Sequence, residues 1–258
     1  RRSGQTRLAS AGVKIAVIIP TLNEEQALPD TLARTTRLGF DDIIVVDGGS
    51  SDRTLESVHD LQVRCSTFDV QPLPNLEPRT SNSITLLTSA SGRAQQMNAG
   101  ASNSQADVLL FLHADTHLPD EARQIIERAL DDPTCVGGRF DVRFEHDRGL
   151  AWLIARLISL RSRWSGISTG DQALFVRHEV FAQLGGFTDI PIMEDVDFTR
   201  RLKRAGRVAP LHAHVVTSYR RWDRHGALRT IVLMWALRLL YWLGVHPNRL
   251  KNLYASVR

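Results

Sequence analysis

Three short runs of aliphatic residues, each stopping at a polar segment, constrain the fold of this chain more than any other feature. The runs are residues 13–19, 43–46 and 108–112, and they consist mainly of Ile, Val and Leu. A helical pattern follows each run before the next one begins. Short apolar strands that alternate with helices are typical of a parallel sheet covered on both faces. The sequence therefore predicts an α/β fold with a mostly parallel central sheet flanked by helices.

The polar residues that follow these three runs are predicted to lie together. Thr21 and Asn23 follow the first run, Asp47 follows the second, and Asp115 stands just beyond the third. In an open α/β sheet the carboxyl ends of parallel strands meet at one edge, and ligands bind there. The positions of these residues therefore predict a ligand site at that edge of the sheet.

Asp115 is flanked by two histidines, each at a spacing of two residues. If strand geometry continues through this segment, the side chains of His113, Asp115 and His117 face one side. Imidazole and carboxylate groups suit Mn²⁺ or Mg²⁺, so these three residues are predicted as ligands of a divalent metal. The alternative is that Asp115 caps the following helix and that both histidines are solvated.

Five segments of the sequence stand in the order found in family 2 glycosyltransferases of the GT-A fold. They read VIIPTLNEE, IIVVDGGSSDRT, GRAQQMNAGA, LLFLHADT and GGF…MEDVDFTRRLKRAG, and they span about residues 13–210. The chain resembles in particular a small bacterial branch that carries GRAxQMNAGA and FLHADT in place of the commoner D-x-D sequence. The resemblance implies GT-A, the fold of nucleotide-diphospho-sugar transferases, and the residues beyond it predict an additional C-terminal amphipathic helix. It also implies glycosyl transfer as the activity.

The resemblance further implies roles for individual residues. Asp195, preceded by Glu194 as a second catalytic candidate, stands at the position of the catalytic base of inverting members. Asp115 takes the second acidic position of the D-x-D metal site, His113 replaces the first, and His117 falls where some relatives place a further ligand. The residues implied in nucleotide binding are Pro20, Thr21, Asn23, Glu24, Asp47, Arg93, Asn98 and Ala114. Those implied at the diphosphate or the acceptor are Arg220, Arg221, Trp222, Asp171 and Gln172.

The last group of residues has alternative roles. Residues 166–172 are rich in Gly, Ser and Thr, so a turn-forming role is the alternative for Asp171 and Gln172. Arg220 and Arg221 could hold a diphosphate, because Arg forms paired hydrogen bonds with phosphate oxygens. Their alternative is a basic face toward anionic lipid.

The chemistry of glycosyl transfer explains why these residue types are suitable. A nucleotide-sugar donor carries a diphosphate leaving group whose negative charge grows as the glycosidic bond breaks, so a divalent cation or arginines must neutralise it. An acceptor hydroxyl is a weak acid, so a carboxylate such as Asp195 is needed to take its proton. Asp195 also opens a predicted helix, where capping is the alternative role. We predict a metal-assisted, inverting glycosyltransferase that uses a UDP- or GDP-linked sugar.

Two functions of other classes remain open. A nucleotidyltransferase would share the scaffold, but it usually has a Gly-rich loop bearing Lys or Arg after the first strand, where this chain has PTLNEE. A non-catalytic nucleotide-sugar-binding protein is favoured by the histidine at position 113, and it is opposed by the carboxylates at 115 and 195. A dinucleotide dehydrogenase is disfavoured because no G-x-G-x-x-G segment follows any predicted strand.

The sequence also predicts how the chain is divided. Residues 1–12 are expected to be a disordered lead-in, 13–225 the catalytic domain and 226–258 an amphipathic C-terminal appendage. Residues 66–92 contain three prolines and a cluster of Ser, Thr and Asn. We expect them to form an inserted surface loop or flap beside the donor site. Long structureless loops are usually functional or disordered, and for this segment we favour disorder.

The C-terminal appendage contains an apolar stretch, residues 227–243, with Trp235, Tyr241 and Trp242 close to arginines. This composition is typical of a helix that lies in a membrane interface, and the predicted helix at 150–160 has the same character. Packing on the catalytic domain, or formation of a homodimer, is the alternative. We predict a peripheral membrane enzyme whose acceptor is lipid-linked or lipophilic, with a small-molecule acceptor as the other possibility.

The composition limits the compartment and the partners. Of the 258 residues 43% are hydrophobic, which is enough for a large core, and the two cysteines, Cys65 and Cys135, fit a reducing compartment. The sequence lacks an apolar run of about 18 residues and a signal-peptide pattern, so we expect a cytoplasmic protein, peripheral on the inner face of the plasma membrane. The net charge is only +4, and no feature of the sequence indicates nucleic acid as a partner.

Overall fold

An eight-stranded sheet organises the residues that the computed structural model describes, which are 12–67, 83–220 and 226–255. The strands are β1 (Ile15–Thr21), β2 (Asp42–Asp47), β3 (Ser83–Thr88), β4 (Val108–Phe111), β5 (Thr116–His117), β6 (Cys135–Phe144), β7 (Leu174–Arg177) and β8 (Arg207–Thr217). The helices are α1 (Leu28–Thr35), α2 (Thr54–Thr67), α3 (Arg93–Ser102), α4 (Ala122–Leu130), α5 (Leu150–Ser165), α6 (His178–Gln183), α7 (Glu194–Ala205), α8 (Ala227–Trp242) and α9 (Pro247–Ala255). Two 3₁₀ turns are Thr36–Leu38 and Gly170–Gln172.

The sheet has a parallel half and a mixed half, in the strand order β3-β2-β1-β4-β7-β6-β8-β5. β3, β2, β1 and β4 are parallel, and Thr21 at the end of β1 lies opposite Asp47 at the end of β2. β7 runs antiparallel to both β4 and β6, whereas β6 and β8 are parallel. The predicted α/β sheet flanked by helices is confirmed, and the carboxyl ends of β1, β2 and β4 form one edge, called here the carboxyl edge.

The three predicted strands are buried on both faces, which explains their uninterrupted apolar sequence. Ile15 and Val17 of β1 belong to one core cluster, which also contains residues of α1, α2 and α4. Ala16 and Ile18 belong to a second cluster on the other face, together with Met97 of α3. Two separate helical layers therefore hold the carboxyl edge in place.

The prediction of one inserted loop over residues 66–92 is wrong at both ends. α2 continues to Thr67, and Ser83–Thr88 forms β3, which pairs with β2 in parallel along its whole length. β3 pairs with the edge of β2, because an unpaired strand edge offers a row of backbone hydrogen-bonding groups. Residues 68–82, the rest of the predicted loop, lie outside the described residues, as do residues 1–11 of the predicted lead-in.

β6 alternates apolar and charged residues, a pattern typical of a half-buried strand, but the structure buries it on both faces. Arg139 and Asp141 are only 2% and 4% exposed, and Arg139 Nη1 donates to Asp141 Oδ1 at 2.7 Å. Arg163 of α5 forms a second ion pair with Asp141. These pairs allow the charged side chains to be buried, because a charge leaves water at low cost only when it is paired.

We expect Gly137→Ala to lower the free energy of unfolding by about 1–3 kcal/mol, the usual cost of overpacking. An added Cβ at Gly137 would meet the backbone carbonyl of Phe175 and lie 3.0 Å from Val176 Cα, where β6 and β7 pair. Urea unfolding measures the change, with Gly12→Ala as the control because an added Cβ there meets nothing within 4 Å. Equal stability of the two variants would contradict the tight approach of β6 to β7.

The two C-terminal helices extend the fold beyond β8. Ala227 and Ile231 of α8 pack on a small cluster formed by Phe144 and the first turns of α5. Leu237 and Leu250 are also buried. None of the helices in the described ranges has the length and apolar content that crossing a bilayer requires.

Candidate active site

The turns that follow β1 and β2 are bound to each other at the carboxyl edge. Asp47 is 1% exposed, and its Oδ2 accepts hydrogen bonds from the N–H groups of Gly49 and Ser50, both at 2.9 Å. Asn23, at a left-handed φ of 55°, accepts from the N–H of Ser51 at 2.8 Å. The predicted nucleotide-binding residues Asn23 and Asp47 thus fix the shape of this edge and lie side by side.

Gln96 of α3 ties these strand ends together, and reasoning from the sequence missed it. Its Nε2 donates to the carbonyl of Thr21 at 2.6 Å and to that of Val46 at 2.8 Å, and the side chain is 3% exposed. Its position as the second Gln of GRAQQMNAGA, among small residues, is the only signal in the sequence that could have indicated a buried role.

Arg220 reaches back across the carboxyl edge to two carboxylates. Its Nη2 lies 3.4 Å from Glu24 Oε2 and 3.6 Å from Asp115 Oδ2. Partial burial and, next, the nearby charge of Asp115 raise the pKa of Glu24 above its ordinary value. The structure thus brings together Glu24, Asp115 and Arg220, whereas the predicted Arg221 and Trp222 lie outside the described residues.

The prediction that His113, Asp115 and His117 face one side is wrong. β4 ends at Phe111, and the N–H of Thr116 donates to the carbonyl of His113, so these residues form a turn in which strand alternation does not hold. His117 Nε2 instead lies 3.2 Å from Asp30 Oδ2 on α1. Within the described ranges, no three His, Cys, Asp or Glu side chains are grouped so that they could hold an ion.

Three further predicted residues are used by the fold itself. The side chain of Ala114 is buried in a core cluster. Asn98 donates to the carbonyl of Phe187 at 2.8 Å and accepts from its N–H at 2.9 Å. Gln172 is fully buried, and its side chain bonds to the backbone of Thr169 and Phe140. In the structure the side-chain amides of Asn98 and Gln172 hold loops, because a buried amide must have hydrogen-bond partners.

A pocket opens between the carboxyl edge and α7, and it contains the predicted catalytic residue. This catalytic pocket is lined by residues that include Pro20, Arg93, His113, Ser168 and Asp195. The close approach of the 168–171 loop to β4 shapes it, since an added Cβ at Gly170 would meet the ring of His113. Four of the five motif segments therefore contribute lining residues to one pocket, and the IIVVDGGSSDRT segment is not among them.

Asp195 is held at the start of α7 in an unusual electrostatic environment. Its Oδ2 accepts from the N–H of Gly170 at 2.8 Å, and its Oδ1 accepts from the N–H of Val196 at 2.7 Å. Burial, and then the neighbouring Glu194, raise the pKa of Asp195 to about 7, against the opposing effect of Arg93. Arg93 Nη1 lies 3.3 Å from Glu194 Oε1. A carboxyl group with a pKa near 7 is suited to general-base catalysis.

The segment before α7 fixes the direction of Asp195. Met193 has a left-handed φ of 71°, which turns the chain into the helix. Arg201 of α7 donates to the carbonyls of Leu184 and Gly186 and thereby anchors the loop that leads to Met193. Asp197, in the first turn of α7, accepts from the hydroxyl of Thr188 at 2.7 Å.

This combination defines a class of protein. The parallel half-sheet carries polar and acidic side chains at its carboxyl edge, and it is joined to a mixed half-sheet. The start of α7 adds a carboxylate to the pocket beside that edge. This arrangement is the GT-A fold of glycosyltransferases. TarS 1-349 from S. aureus, solved with UDP, matches it with a TM-score of 0.59 at 17% identity over 80% of this chain and 60% of that one. The mannosyltransferase PcManGT from Pyrobaculum calidifontis, solved with GDP-Man and Mn²⁺, matches with a TM-score of 0.59 at 19% identity over 80% of this chain and 57% of that one.

The chain belongs to glycosyl transferase family 2, and it is a glycosyltransferase. The family model covers residues 16–187. The undecaprenyl-phosphate 4-deoxy-4-formamido-L-arabinose transferase of Enterobacter sp. (strain 638) is 28% identical over 261 aligned positions, 95% of this chain and 72% of the relative. The probable glycosyltransferase YdaM of Bacillus subtilis (strain 168) is 25% identical over 210 positions, 75% of this chain and 47% of the relative. The chain spans about three fifths of the length of the two solved structures.

Proposed function

We propose that this chain transfers a sugar from a nucleoside-diphosphate donor to an oxygen of an acceptor, with inversion at the anomeric carbon. The observation that carries the proposal is the position of Asp195, whose pKa is raised to about 7 and which lines the same pocket as Pro20 and Arg93. In this mechanism the acceptor O–H gives its proton to Asp195 while its oxygen bonds to the anomeric carbon. The bond from that carbon to the diphosphate oxygen breaks on the opposite face.

The donor nucleotide is proposed to lie along the carboxyl edge. Thr21 and Asp47 lie opposite each other at the ends of β1 and β2, and Asn23 and Glu24 follow β1 in the turn. The exposed amide of Asn23 offers an oxygen that suits an N–H group of a uracil or guanine base, while the buried Asp47 shapes the turn beside it. TarS was solved with UDP and with UDP-GlcNAc, and PcManGT with GDP-Man, so both bases are candidates for this chain.

A divalent cation, Mn²⁺ or Mg²⁺, is proposed beside Asp115. The mutual repulsion of Glu24 and Asp115 contributes to the raised pKa of Glu24, and a cation between the two carboxylates would relieve it. Mg²⁺ is usually held by one or two carboxylates together with substrate phosphates, which these residues fit. When bound, the cation would neutralise charge on the leaving diphosphate. Arg220 already contacts both carboxylates and would lie close to the same diphosphate.

We expect Asp115→Ala to abolish any increase in nucleotide affinity that Mn²⁺ produces, because it removes one of the two carboxylates proposed to hold the cation. Titration of the variant with UDP and GDP, with and without Mn²⁺, measures the effect. Asp30→Ala is the matched control. Asp30 lies on α1 and pairs with Arg34 and His117, and it is not one of the carboxylates proposed to hold the cation. A variant at 115 that still binds nucleotide more tightly with Mn²⁺ would place the cation elsewhere.

The pH dependence of turnover is expected to follow the ionisation of Asp195. Its raised pKa means that the carboxyl is protonated, and unable to act as a base, below about pH 7. We therefore expect kcat/KM to rise about tenfold per pH unit up to about pH 7 and then to level off. The charged and titratable groups that influence Asp195 are Glu194, Arg93, Arg161 and Tyr241. Glu194→Gln should move the midpoint to lower pH, and a midpoint that stays in place would contradict this account.

The membrane surface is proposed as a partner. The exposed faces of two helices carry apolar stripes at helical spacing, which reverses the usual pattern of a helix that faces water. The stripe of α5 consists of Leu150, Leu153, Leu157, Leu160 and Trp164. The stripe of α8 consists of Val232, Trp235, Leu239 and Trp242.

An anionic bilayer fits these stripes because large apolar and Trp side chains with basic neighbours favour the interface. Arg156 of α5, for example, lies over the ring of Trp152. The acceptor is accordingly proposed to be lipid-linked, as the name of the Enterobacter relative states for that protein. The proposed location is the inner face of the plasma membrane. A homodimer formed through the same stripes is the competing outcome of the vesicle test given in the Discussion.

Product analysis tests the proposed reaction against its two rivals. The purified chain is incubated with UDP- and GDP-linked sugars and membrane lipid extract, and the released nucleotide is identified by chromatography. A glycosyltransferase releases nucleoside diphosphate, and NMR of the product reports whether the anomeric centre is inverted. A nucleotidyltransferase would instead exchange pyrophosphate, and a non-catalytic binding protein would release nothing. Either of the last two results would overturn the proposal.

A further inference from the structure

Several buried polar side-chain atoms lack a hydrogen-bond partner, and some of them belong to residues near Asp195. In the described ranges, side-chain nitrogen or oxygen atoms of this kind occur on five residues, called here the polar cluster: Arg139, Arg161, Ser162, Ser168 and Asp171. All of them belong to β6, to the C-terminal half of α5 or to the loop that follows it. Buried polar groups in native proteins are almost always paired, so an unpaired group requires an explanation.

Arg161 is the member of the polar cluster with most to gain from a ligand. Its Nε and Nη2 are both buried without a partner. Asp171 and Asp195 are near enough to oppose, through their charge, the lowering of the pKa of Arg161 that burial causes. Because buried donors of a charged group are costly when no acceptor meets them, an anion that accepts from Nε and Nη2 would explain a guanidinium group in this position.

The polar cluster connects with the catalytic pocket. Ser168 lines that pocket together with Asp195, and Asp171 directly follows Gly170, whose N–H donates to Asp195 Oδ2. The Nε and Nη2 atoms of arginine are adjacent donors that suit two oxygens of a phosphate or carboxylate. Asp171 Oδ1, also unpaired, is suited to accept a hydrogen bond from a hydroxyl.

We propose that Arg161, with Ser168 and Asp171, forms the acceptor subsite and that it selects an acceptor that carries an anionic phosphate or carboxylate near the oxygen to be glycosylated. This inference rests on the proposed function, because it places the acceptor on the side of Asp195 opposite the carboxyl edge. The anionic group binds Arg161, and Asp171 holds a neighbouring hydroxyl. Arg161 is then a specificity-determining residue for the acceptor, and it takes no part in binding the nucleotide.

Titration calorimetry with matched anionic and neutral probes tests the subsite. Glycerol 3-phosphate is compared with glycerol, and farnesyl phosphate with farnesol, so that a soluble and a lipid source of the phosphate are distinguished. We expect the wild type to bind at least one phosphate at least about 10-fold more tightly than its neutral match, as expected for hydrogen bonds to a charged group. Equal binding of phosphate and alcohol in both pairs would overturn the proposal without any variant.

Three variants assign the effect to Arg161. Arg161→Gln should weaken phosphate binding at least about 10-fold, whereas Arg128→Gln, the same change at an exposed position of α4, should leave it within about twofold. Inorganic sulfate, an anion without an alcohol group, probes the anion-binding part of the subsite alone. Asp171→Asn should not weaken sulfate binding, because it removes a negative charge beside the anion. Unchanged phosphate binding in Arg161→Gln would overturn the proposal, and water would then be the partner of the polar cluster. UDP and GDP titrations of the same samples separate this failure from failure of the donor site.

Discussion

Turnover of the nucleotide sugar is expected to fall by about 10²–10⁴-fold in Asp195→Asn, while the affinity for nucleoside diphosphate stays within about twofold of the wild-type value. An amide at this position cannot take a proton from the acceptor. In the wild type the N–H of Gly170 donates to Asp195 Oδ2 at 2.8 Å and so positions this side chain. The carbonyl oxygen of the amide can still accept that hydrogen bond. The loss should therefore be confined to the chemical step.

Asp197→Asn is the matched control for the base. Asp197 lies on the same first turn of α7, but its carboxylate contacts Thr188 and Arg201 and does not line the catalytic pocket. We expect its turnover to stay within about tenfold of the wild type, since it contributes only to holding the loop before α7. Unchanged turnover in Asp195→Asn, or equal losses in the two variants, would remove Asp195 from the role of base.

Binding to anionic phospholipid vesicles should weaken by at least about 10²-fold when three residues of the α8 stripe are changed together to serine. The changes are Trp235→Ser, Leu239→Ser and Trp242→Ser, at side chains that are 62%, 56% and 73% exposed. Full burial of a large apolar side chain contributes about 1.5–3 kcal/mol, so three such losses exceed the predicted change even if each side chain is only partly inserted. Vesicle sedimentation measures the effect.

The control for the stripe is Val63→Ser, which removes an exposed apolar side chain from α2. It should bind vesicles as the wild type does. Analytical ultracentrifugation of the wild type and of the triple variant identifies the competing role of the stripe. A wild-type dimer that the triple variant dissociates, with vesicle binding unchanged, would assign the stripe to a homodimer interface instead of a membrane.

The carboxyl edge could be predicted from the sequence because its signals are local. Residues 15–19, 43–46 and 108–112 are apolar without interruption, since each strand is buried on both faces, and they form most of β1, β2 and β4. The polar residues after each strand must then meet, whatever the details of the turns. The position of Asp195 depended on the resemblance to family 2, because acidic residues at the start of a helix are common for capping alone.

The predictions that failed depended on partners that only the folded chain supplies. His117 was expected to face the side of Asp115, but the turn after β4 directs it to Asp30. Residues 83–88 were predicted to be part of a loop, but they form a strand that pairs with the edge of β2. A sequence shows that Asn98 and Gln172 carry amides, but it does not show that backbone groups of distant loops will bind them. Arg161 was missed for the same reason.

Titration of the purified chain with UDP and with GDP, each with and without Mn²⁺, tests most directly the claim that the carboxyl edge binds a nucleoside diphosphate. We predict saturable binding of one of the two nucleotides, tighter with Mn²⁺, and loss of that binding in Asp47→Ala, which disrupts the turn that joins β2 to Asn23. If neither nucleotide binds with or without the metal, or if Asp47→Ala binds as the wild type does, the donor site proposed here is wrong.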